Sequence, residues 1–278
     1  MPTFPLDETY VAFGDGSSNA AGSFYGLVLV PELSIGRIEK EIEGVKEKFG
    51  GKDEFSIHCR ELFNDEGRRK SPWHHLSYER VVSLCGEVLR VVGSSQPKYL
   101  LSYIPKAHYP KRFRLRGKNS HSDLVHGIDE KWLTLWAFFR IGGMLDPTDP
   151  SIPDDPTIKP RPRNLPFWNM VIKRAEPGLR VRKVYLDRED TKIRWFSKTV
   201  QWISVARELV VENRSGSTYL PIEHASDTKH SLLDMADIFV YSIARELGAN
   251  KPIDYGQYCG EVHVEVMANR GEEIVVGG

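Results

Sequence analysis

Long apolar runs are missing from this chain of 278 residues. No stretch approaches the roughly 18 uncharged apolar residues that a membrane-spanning helix needs, so the sequence predicts no membrane partner. The first residues, MPTFPLDETYVAF, lack the basic segment followed by an apolar segment that marks a secretory signal peptide. We therefore expect a cytoplasmic protein.

Cysteine is scarce, with 3 residues in the whole chain, at Cys59, Cys85 and Cys259. The number is odd, the spacings are long, and no two cysteines form a CxxC pair. This pattern excludes a disulfide framework and a zinc site built on cysteine. Reduced thiols in a cytoplasm are the simplest interpretation.

Net charge is also absent, because 38 Lys and Arg residues balance 38 Asp and Glu residues. A neutral chain has no global field that attracts DNA or RNA, so any nucleic-acid site must be a local basic patch. The motifs GxxxxGK(S/T), GxGxxG, HExxH and GxSxG are missing as well. The sequence therefore gives no support for P-loop nucleotide hydrolysis, dinucleotide binding, zinc proteolysis or serine hydrolysis.

What the sequence does contain is an alternation of strand-like and helix-like segments. Two short apolar runs near the start are separated by Gly and Ser residues and predict a hairpin. The predicted strands span 10–15, 24–30, 98–104, 182–187, 219–225 and 263–267, the last of them peripheral. The predicted helices span 35–49, 77–92, 123–140, 191–212 and 231–247. Because the hairpin argues against a wholly parallel sheet, this order predicts an α/β protein with a mixed sheet and covering helices.

One insertion is predicted to decorate this sheet, over about residues 106–178, within a single domain of residues 1–278. It begins with a basic stretch at 106–118 and continues with the aromatic-rich helix at 123–140. Prolines are dense between residues 146 and 166, and this density excludes a continuous helix or a central strand there.

Asp237 is the most informative residue of the last predicted helix. By helical spacing it shares a face with Leu233, Val240, Tyr241 and Ala244, and this face is apolar. We therefore expect its carboxylate in or beside the core, where a charge must be neutralised, paired or bound to a metal ion. The alternative is a carboxylate that caps a neighbouring loop or pairs with an arginine.

Three other carboxylates stand where predicted strands end. Asp15 closes the first strand, Asp187 closes the strand at 182–187, and Asp227 follows the strand at 219–225. Ligands bind at strand ends in α/β sheets, although turn-forming and N-capping aspartates are common there too. Several carboxylates at one end of a sheet repel one another unless cations lie between them. Mg²⁺ or Mn²⁺ suits such all-oxygen ligands, and two such ions promote phosphodiester cleavage.

Four short motifs occur in a fixed order along the chain. They read DGSS at 15–18, IHCRELF at 57–63, DTK at 227–229 and LDMAD at 233–237. In these motifs the sequence resembles the domain of unknown function 3800 family, over roughly residues 9–247. The resemblance implies a ribonuclease H-like fold.

Two positions depart from that family's pattern. Gly16 stands where family members typically carry an acidic residue after the first aspartate, and Asp234 stands where they carry glutamine. Together with the zero net charge, the change at Gly16 favours a non-catalytic protein that kept the fold and lost the nuclease activity. The recurring strand-end carboxylates favour a nuclease that cleaves phosphodiester bonds with metal ions.

His58 lies in the second motif, just after the apolar pair Phe55 and Ile57. It is either a metal ligand or proton shuttle beside the carboxylates, or a hydrogen-bonded structural histidine. Glu61 lies on the same face as His58 if a helix begins there.

A basic patch is predicted within the insertion, with Tyr109 and Phe113 interleaved and no acid in the stretch. Such a patch neutralises phosphates, and aromatic side chains stack on unpaired bases. The alternative is a solvated basic loop that balances acidic surface elsewhere, such as residues 146–155. The predicted nucleic-acid-binding residues are Lys106, Lys111, Arg112, Arg114, Arg116 and Lys118, together with Lys229 of the third motif.

The sequence thus predicts a Mg²⁺- or Mn²⁺-dependent nuclease that hydrolyses phosphodiester bonds of DNA or RNA. The predicted metal ligands are Asp15, Asp187 and Asp237. The predicted catalytic residues are Asp15, Asp187, Asp227, Asp237, His58 and Glu61. The alternative is a non-catalytic nucleic-acid-binding or scaffold protein with a ribonuclease H-like fold. The sequence does not favour DNA over RNA, or exonucleolytic over endonucleolytic cleavage. It also predicts no oligomeric state.

Overall fold

The structure is a computed structural model. It describes residues 9–109, 112–115, 124–126, 170–171, 180–187, 192–195, 198–201, 208–213, 216–225, 230–248, 262–266 and 273–276. The expected insertion at 106–178 lies mostly outside these residues.

Thirteen strands occur in the described part of the chain. They are β1 (Thr9–Ser18), β2 (Gly22–Pro31), β3 (Lys98–Pro105), β4 (Arg112–Leu115), β5 (Leu124–His126), β6 (Met170–Val171), β7 (Arg180–Asp187), β8 (Lys192–Trp195), β9 (Lys198–Gln201), β10 (Glu208–Asn213), β11 (Gly216–Ala225), β12 (Val262–Val266) and β13 (Glu273–Val276).

The α-helices of the described residues are α1 (Ile35–Lys48), α2 (Cys59–Leu62), α3 (Asp65–Lys70), α4 (Tyr78–Gly93) and α5 (Leu232–Gly248). Short 3-10 turns lie at Glu32–Ser34 and Lys106–His108. Helix α4 begins as the sequence predicts, because the Ser77 hydroxyl accepts a hydrogen bond from the Arg80 N–H.

An eight-stranded mixed sheet organises the fold, in the order β10-β11-β7-β1-β2-β3-β12-β6. Strand β1 lies inside it, antiparallel to β2 and parallel to β7, and β7 is parallel to β11. Strand β3 is antiparallel to β2, so it runs in the same direction as β1. The carboxyl ends of β1, β3, β7 and β11 therefore meet at one edge of the sheet. The predicted α/β class, mixed sheet and initial hairpin are confirmed.

The hairpin of β1 and β2 is buried on both faces. Val11, Phe13 and Phe24 point into the main core, which α1, α4 and α5 share. Residues of the opposite parity, such as Ala12 and Leu27, are also fully buried. Strands buried on both faces read as continuous apolar runs, as residues 24–30 do.

Helix α5 packs against β1 and β2. The contact is close at Gly26, where an added Cβ would lie 2.4 Å from Val240 Cγ2 and 2.9 Å from the Phe239 ring. No other residue type fits there unless the Val240 and Phe239 side chains or α5 itself shift, because a real Cβ does not approach heavy atoms so closely.

The structure corrects three of the predicted elements. Residues 124–126 of the predicted helix 123–140 form β5, and the other residues of that helix lie outside the described part. The predicted helix 191–212 contains β8, β9 and β10 instead, because its dense β-branched residues favour strands over its helical spacing. Strand β12 is not peripheral, since it pairs with β3 on one side and β6 on the other.

Within the described ranges, no helix combines the length and the apolar character that crossing a membrane requires.

We expect Gly26→Ala to lower the free energy of unfolding by about 1–3 kcal/mol, because the new methyl group overlaps Val240 and Phe239. Gly44→Ala in α1 is the matched control, since a Cβ there meets nothing within 4 Å. That variant should gain about 0.5–1 kcal/mol, the usual advantage of Ala over Gly within a helix. Urea unfolding measures both, and equal effects of the two substitutions would contradict the close approach of α5.

Candidate functional site

Two of the predicted carboxylates occupy neighbouring backbone positions at the carboxyl edge of the sheet. The parallel pairing of β1 with β7 runs up to Gly14 opposite Leu186. Asp15 and Asp187 hold the next positions of the two strands. Asp187 ends β7 as predicted, whereas β1 continues to Ser18 because its pairing with β2 extends that far. The prediction that Asp15 closes its strand was therefore wrong, but Asp15 does lie where the pairing with β7 ends.

The side chain of Asp15 lies on the face of the sheet that α5 covers. It has the same parity as Val11 and Phe13, which point into that core, and it is opposite Gly26 in the register with β2. Its Oδ1 accepts a hydrogen bond of 2.7 Å from the Gly16 N–H. Gly26 thus gives α5 its close approach at the position of Asp15.

Asp237 lies on α5 at the border of the core. Its Oδ2 accepts a hydrogen bond of 2.9 Å from the Cys59 N–H. His58 Nδ1 is 3.9 Å from the same oxygen, and the two side chains are 28% and 21% exposed. His58 precedes α2, so the loop that leads into this short helix brings an imidazole and a backbone donor to one carboxylate.

The pKa of the buried Cys59 thiol depends on both Asp15 and Asp237. Burial is the main cause that raises its pKa well above the ordinary value, and a hydrogen bond with Cys85 adds to it. The negative charges of Asp237 and Asp15 raise the pKa of Cys59 further. Carboxylates from the first strand and from a late helix therefore act on the same buried atom.

Tyr241 and Arg245 continue the face of α5 that carries Asp237, and sequence reasoning did not identify either as part of the site. Arg245 Nη1 donates a hydrogen bond of 2.9 Å to the Tyr241 hydroxyl, and its guanidinium lies over the Phe63 ring. Burial raises the pKa of Tyr241, Arg245 counteracts this, and the negative charge of Asp237 adds to the rise. Spacings of four and eight residues from Asp237 were the available signal.

Of the two aspartates of α5, Asp234 is fully buried and Asp237 is not. Asp234 Oδ2 lies 2.6 Å from Lys46 Nζ, and neither side chain is exposed. Its Oδ1 accepts a hydrogen bond of 2.8 Å from the Ile57 N–H. Asp237 lies beside the core, as one reading of its helical face predicted, and it contacts the Cys59 N–H and His58.

Of the other predicted site residues, the structure describes the side chains of Glu61 and Lys106, and both are exposed. Glu61 lies in α2, as expected if a helix begins there, but its side chain is exposed. Lys106 is exposed in the turn after β3, and the backbones of Arg112 and Arg114 belong to β4. The remaining predicted residues lie outside the described part: Asp227, Lys111, Arg116, Lys118 and Lys229.

Taken with the other described side chains, Asp15 and Asp237 do not form a complete metal centre. Among the described side chains, no three His, Cys, Asp or Glu residues are grouped so that they could hold a metal ion. Asp15 and Asp237 are nevertheless oxygen donors of the kind that hard divalent cations prefer. Comparison of the chain with protein-family models, curated proteins and solved structures found no match.

Asp237→Asn and Asp237→Ala separate the charge of this residue from its hydrogen bond. Asparagine keeps an oxygen that accepts the Cys59 N–H, so we expect a free energy of unfolding close to that of the wild type. Alanine removes the acceptor and should cost about 1–2 kcal/mol. Denaturant unfolding without divalent cations measures both variants. An equal loss in the two would contradict the structural role of the hydrogen bond.

The raised pKa of Cys59 predicts a loss of stability in mild alkali. The folded chain holds the thiol proton more tightly than the unfolded chain, whose thiols titrate near about pH 8.5. The stabilisation is complete below that pH and is lost as the pH rises towards the folded-state pKa. Between about pH 8.5 and 9.5 the free energy of unfolding should fall with a slope approaching about 1.4 kcal/mol per pH unit.

Cys59→Ser is the control for this slope, because serine does not titrate in the same range. Its free energy of unfolding should be lower at every pH but nearly flat over the interval. A wild-type slope in the serine variant would show that another group is responsible.

Proposed function

We propose that this protein is a nuclease that hydrolyses phosphodiester bonds of DNA or RNA with Mg²⁺ or Mn²⁺. One observation carries the proposal: Asp15 of β1 lies opposite Gly26, the residue on which α5 packs, and α5 carries Asp237, so carboxylates from distant parts of the sequence belong to one face of the sheet. Both of them raise the pKa of the buried Cys59 thiol. Two like charges placed together in a partly buried site are unfavourable without a counter-ion. A divalent cation bound by oxygen ligands would relieve that repulsion.

The proposal includes a ribonuclease H-like core and membership of the domain of unknown function 3800 family. An antiparallel hairpin whose first strand is central, flanked by parallel strands that the chain reaches by crossovers, supports such a core. The four sequence motifs support the family. Two of them meet in space, since the backbone of the second motif donates hydrogen bonds to both aspartates of the fourth.

Asp15 and Asp237, with Asp187 at the neighbouring strand position, are the residues that would hold the cation. When bound, Mg²⁺ or Mn²⁺ supplies a water of lowered pKa and neutralises charge on the leaving oxygen. Asp237 is oriented by the Cys59 N–H, so its carboxylate is fixed before any ligand arrives. His58, at 3.9 Å from Asp237, would hold or release a proton beside the site.

Lys106, the residue of the predicted basic patch whose side chain the structure describes, supports a path for the substrate along the same edge of the sheet. Lys106 follows the carboxyl end of β3, and its N–H donates to the Ala21 carbonyl at the tip of the β1–β2 hairpin. In the register of the sheet, Asp15 is level with Leu101 of β3. At the usual rise of a strand, Lys106 lies about 16 Å farther along, a distance that a few nucleotides span.

The alternative is a non-catalytic nucleic-acid-binding or scaffold protein, and one observation favours it. Asp237 already accepts a hydrogen bond that anchors the loop before α2, so a purely structural role accounts for its presence. The neutral net charge and Gly16 in the first motif agree with that reading. In either case we place the protein in the cytoplasm, in agreement with the free thiols of Cys59 and Cys85.

Nuclease assays separate the two functions. We expect purified protein to cleave at least one of single-stranded DNA, double-stranded DNA, single-stranded RNA and double-stranded RNA when Mn²⁺ is present, and none with EDTA. Asp15→Asn and Asp237→Asn should each lower the rate by about 100-fold or more, because each removes a charge that the transition state needs. Both variants should retain the wild-type far-UV circular dichroism spectrum.

Asp65→Asn is the matched control for these substitutions. Asp65 is exposed at the start of α3, and its ion pair with Arg68 contributes little to stability. The cleavage rate of the Asp65→Asn variant should equal that of the wild type. Binding of nucleic acid without cleavage of any substrate, in both Mg²⁺ and Mn²⁺, would favour the scaffold.

A further inference from the structure

A buried ion pair lies directly behind the candidate site. Lys46 of α1 and Asp234 of α5 are both fully buried, with 2.6 Å between Nζ and Oδ2. Burying two charges is costly even when they are paired, and apolar residues of similar volume often stabilise a core equally well. The pair therefore needs a role besides filling space.

The two aspartates of α5 hold one loop by its backbone. Asp234 Oδ1 accepts the Ile57 N–H at 2.8 Å, and Asp237 Oδ2 accepts the Cys59 N–H at 2.9 Å. These acceptors are three residues apart on a helix, and the donors are alternate residues of an extended segment. The loop lies along α5 as a result, and the residue between the two donors is His58.

Lys46 holds the other end of the same loop. Its carbonyl accepts the Gly51 N–H at 2.9 Å, just after α1 ends, where Gly50 adopts a left-handed φ of 80°. Its ammonium group also donates to the Asp53 carbonyl at 3.3 Å. One lysine thus contacts the loop at residues 51 and 53 and contacts Asp234, which holds the loop at residue 57.

We propose that Lys46 and Asp234 are positioning residues for the candidate active site. The pair ties the loop of residues 51–59 to α1 and α5, and so keeps His58 and the Cys59 N–H against Asp237. Asp234 occupies the position of a neutral glutamine in the resembling family, and Lys46 is the buried charge that accompanies the aspartate. The metal-binding part of this inference rests on the proposed function, and the loop-ordering part does not.

Two double variants test the pair without leaving a buried charge unpaired. Lys46→Gln with Asp234→Asn keeps an oxygen that accepts the Ile57 N–H and an amide that donates to the Asp53 carbonyl. Lys46→Met with Asp234→Leu fills the same space but offers no hydrogen bond. We expect both to fold, since neither contains an uncompensated charge. The Gln/Asn variant should melt near the wild type, and the Met/Leu variant somewhat lower, because the buried Ile57 N–H loses its acceptor.

Amide hydrogen exchange is the readout that a merely space-filling role would not change. In the Met/Leu variant, the amides of Ile57 and Cys59 should exchange about tenfold faster or more, while those of β2 and β3 keep wild-type protection. Its Mn²⁺ affinity, measured by calorimetry, should fall about 10- to 100-fold. In the Gln/Asn variant, both quantities should stay close to wild type.

The proposal would be overturned if the Ile57 and Cys59 amides of the Met/Leu variant kept wild-type protection from exchange. It would also be overturned if these amides lost their protection in a folded Gln/Asn variant. If the Met/Leu variant does not fold, amide exchange in the wild type tests the proposal instead. Exchange of the wild-type Ile57 amide as fast as in an exposed turn would overturn the positioning role of the pair. A wild type that binds no Mn²⁺ would contradict the nuclease, while the exchange data would still decide the role of the pair.

Discussion

Helix α5 lies on the central hairpin at a distance that a side chain at residue 26 would not allow. This close approach sets the height of Asp237 above the sheet, because the helix is rigid along its length. Asp15 is opposite Gly26 in the sheet, so the missing side chain and the candidate carboxylate occupy the same row. The position of Asp237 in the site therefore depends on the packing of α5 against Gly26, which has no side chain.

The surroundings of Asp237 combine structural and chemical demands on one residue. Its carboxylate anchors a loop through the Cys59 N–H, faces His58, and contributes to the raised pKa of Cys59. A hydrogen bond to a backbone donor fixes the carboxylate without neutralising it. Such an arrangement holds a negative charge in place at the edge of the core, which suits a cation site and a loop anchor alike.

The sequence predicted the sheet and the main helices well because their signals are local. Apolar runs marked β1 and β2, helical spacing marked α1 and α4, and Ser77 marked a helix start. The segment at 191–212 was misassigned, since its apolar residues fit helical spacing while its β-branched residues favour the strands that form there.

The candidate site was less predictable than the fold. Asp15 and Asp237 were identified from a strand end and an apolar helix face, and the negative charge of each raises the pKa of Cys59. The Lys46–Asp234 pair was missed, although Lys46 follows Ile38 and Ile42 at helical spacing and so lies on a buried face. A lysine at such a position is usually read as exposed, and its partner is almost two hundred residues away, so no local pattern reveals the pair.

The order of the strands has a consequence for the protein as it leaves the ribosome. Strands β1, β2 and β3, with α1 and α4, come from the first part of the chain and pair with one another, so they can assemble while synthesis continues. Asp15 is present in that early assembly, but α5 is not. A nascent chain that stops before residue 232 therefore carries one half of the carboxylate site and exposes the hairpin face that α5 covers. Joining of the two candidate carboxylates therefore waits for the synthesis of α5, and a product truncated before this helix would lack both Asp237 and one layer of the core.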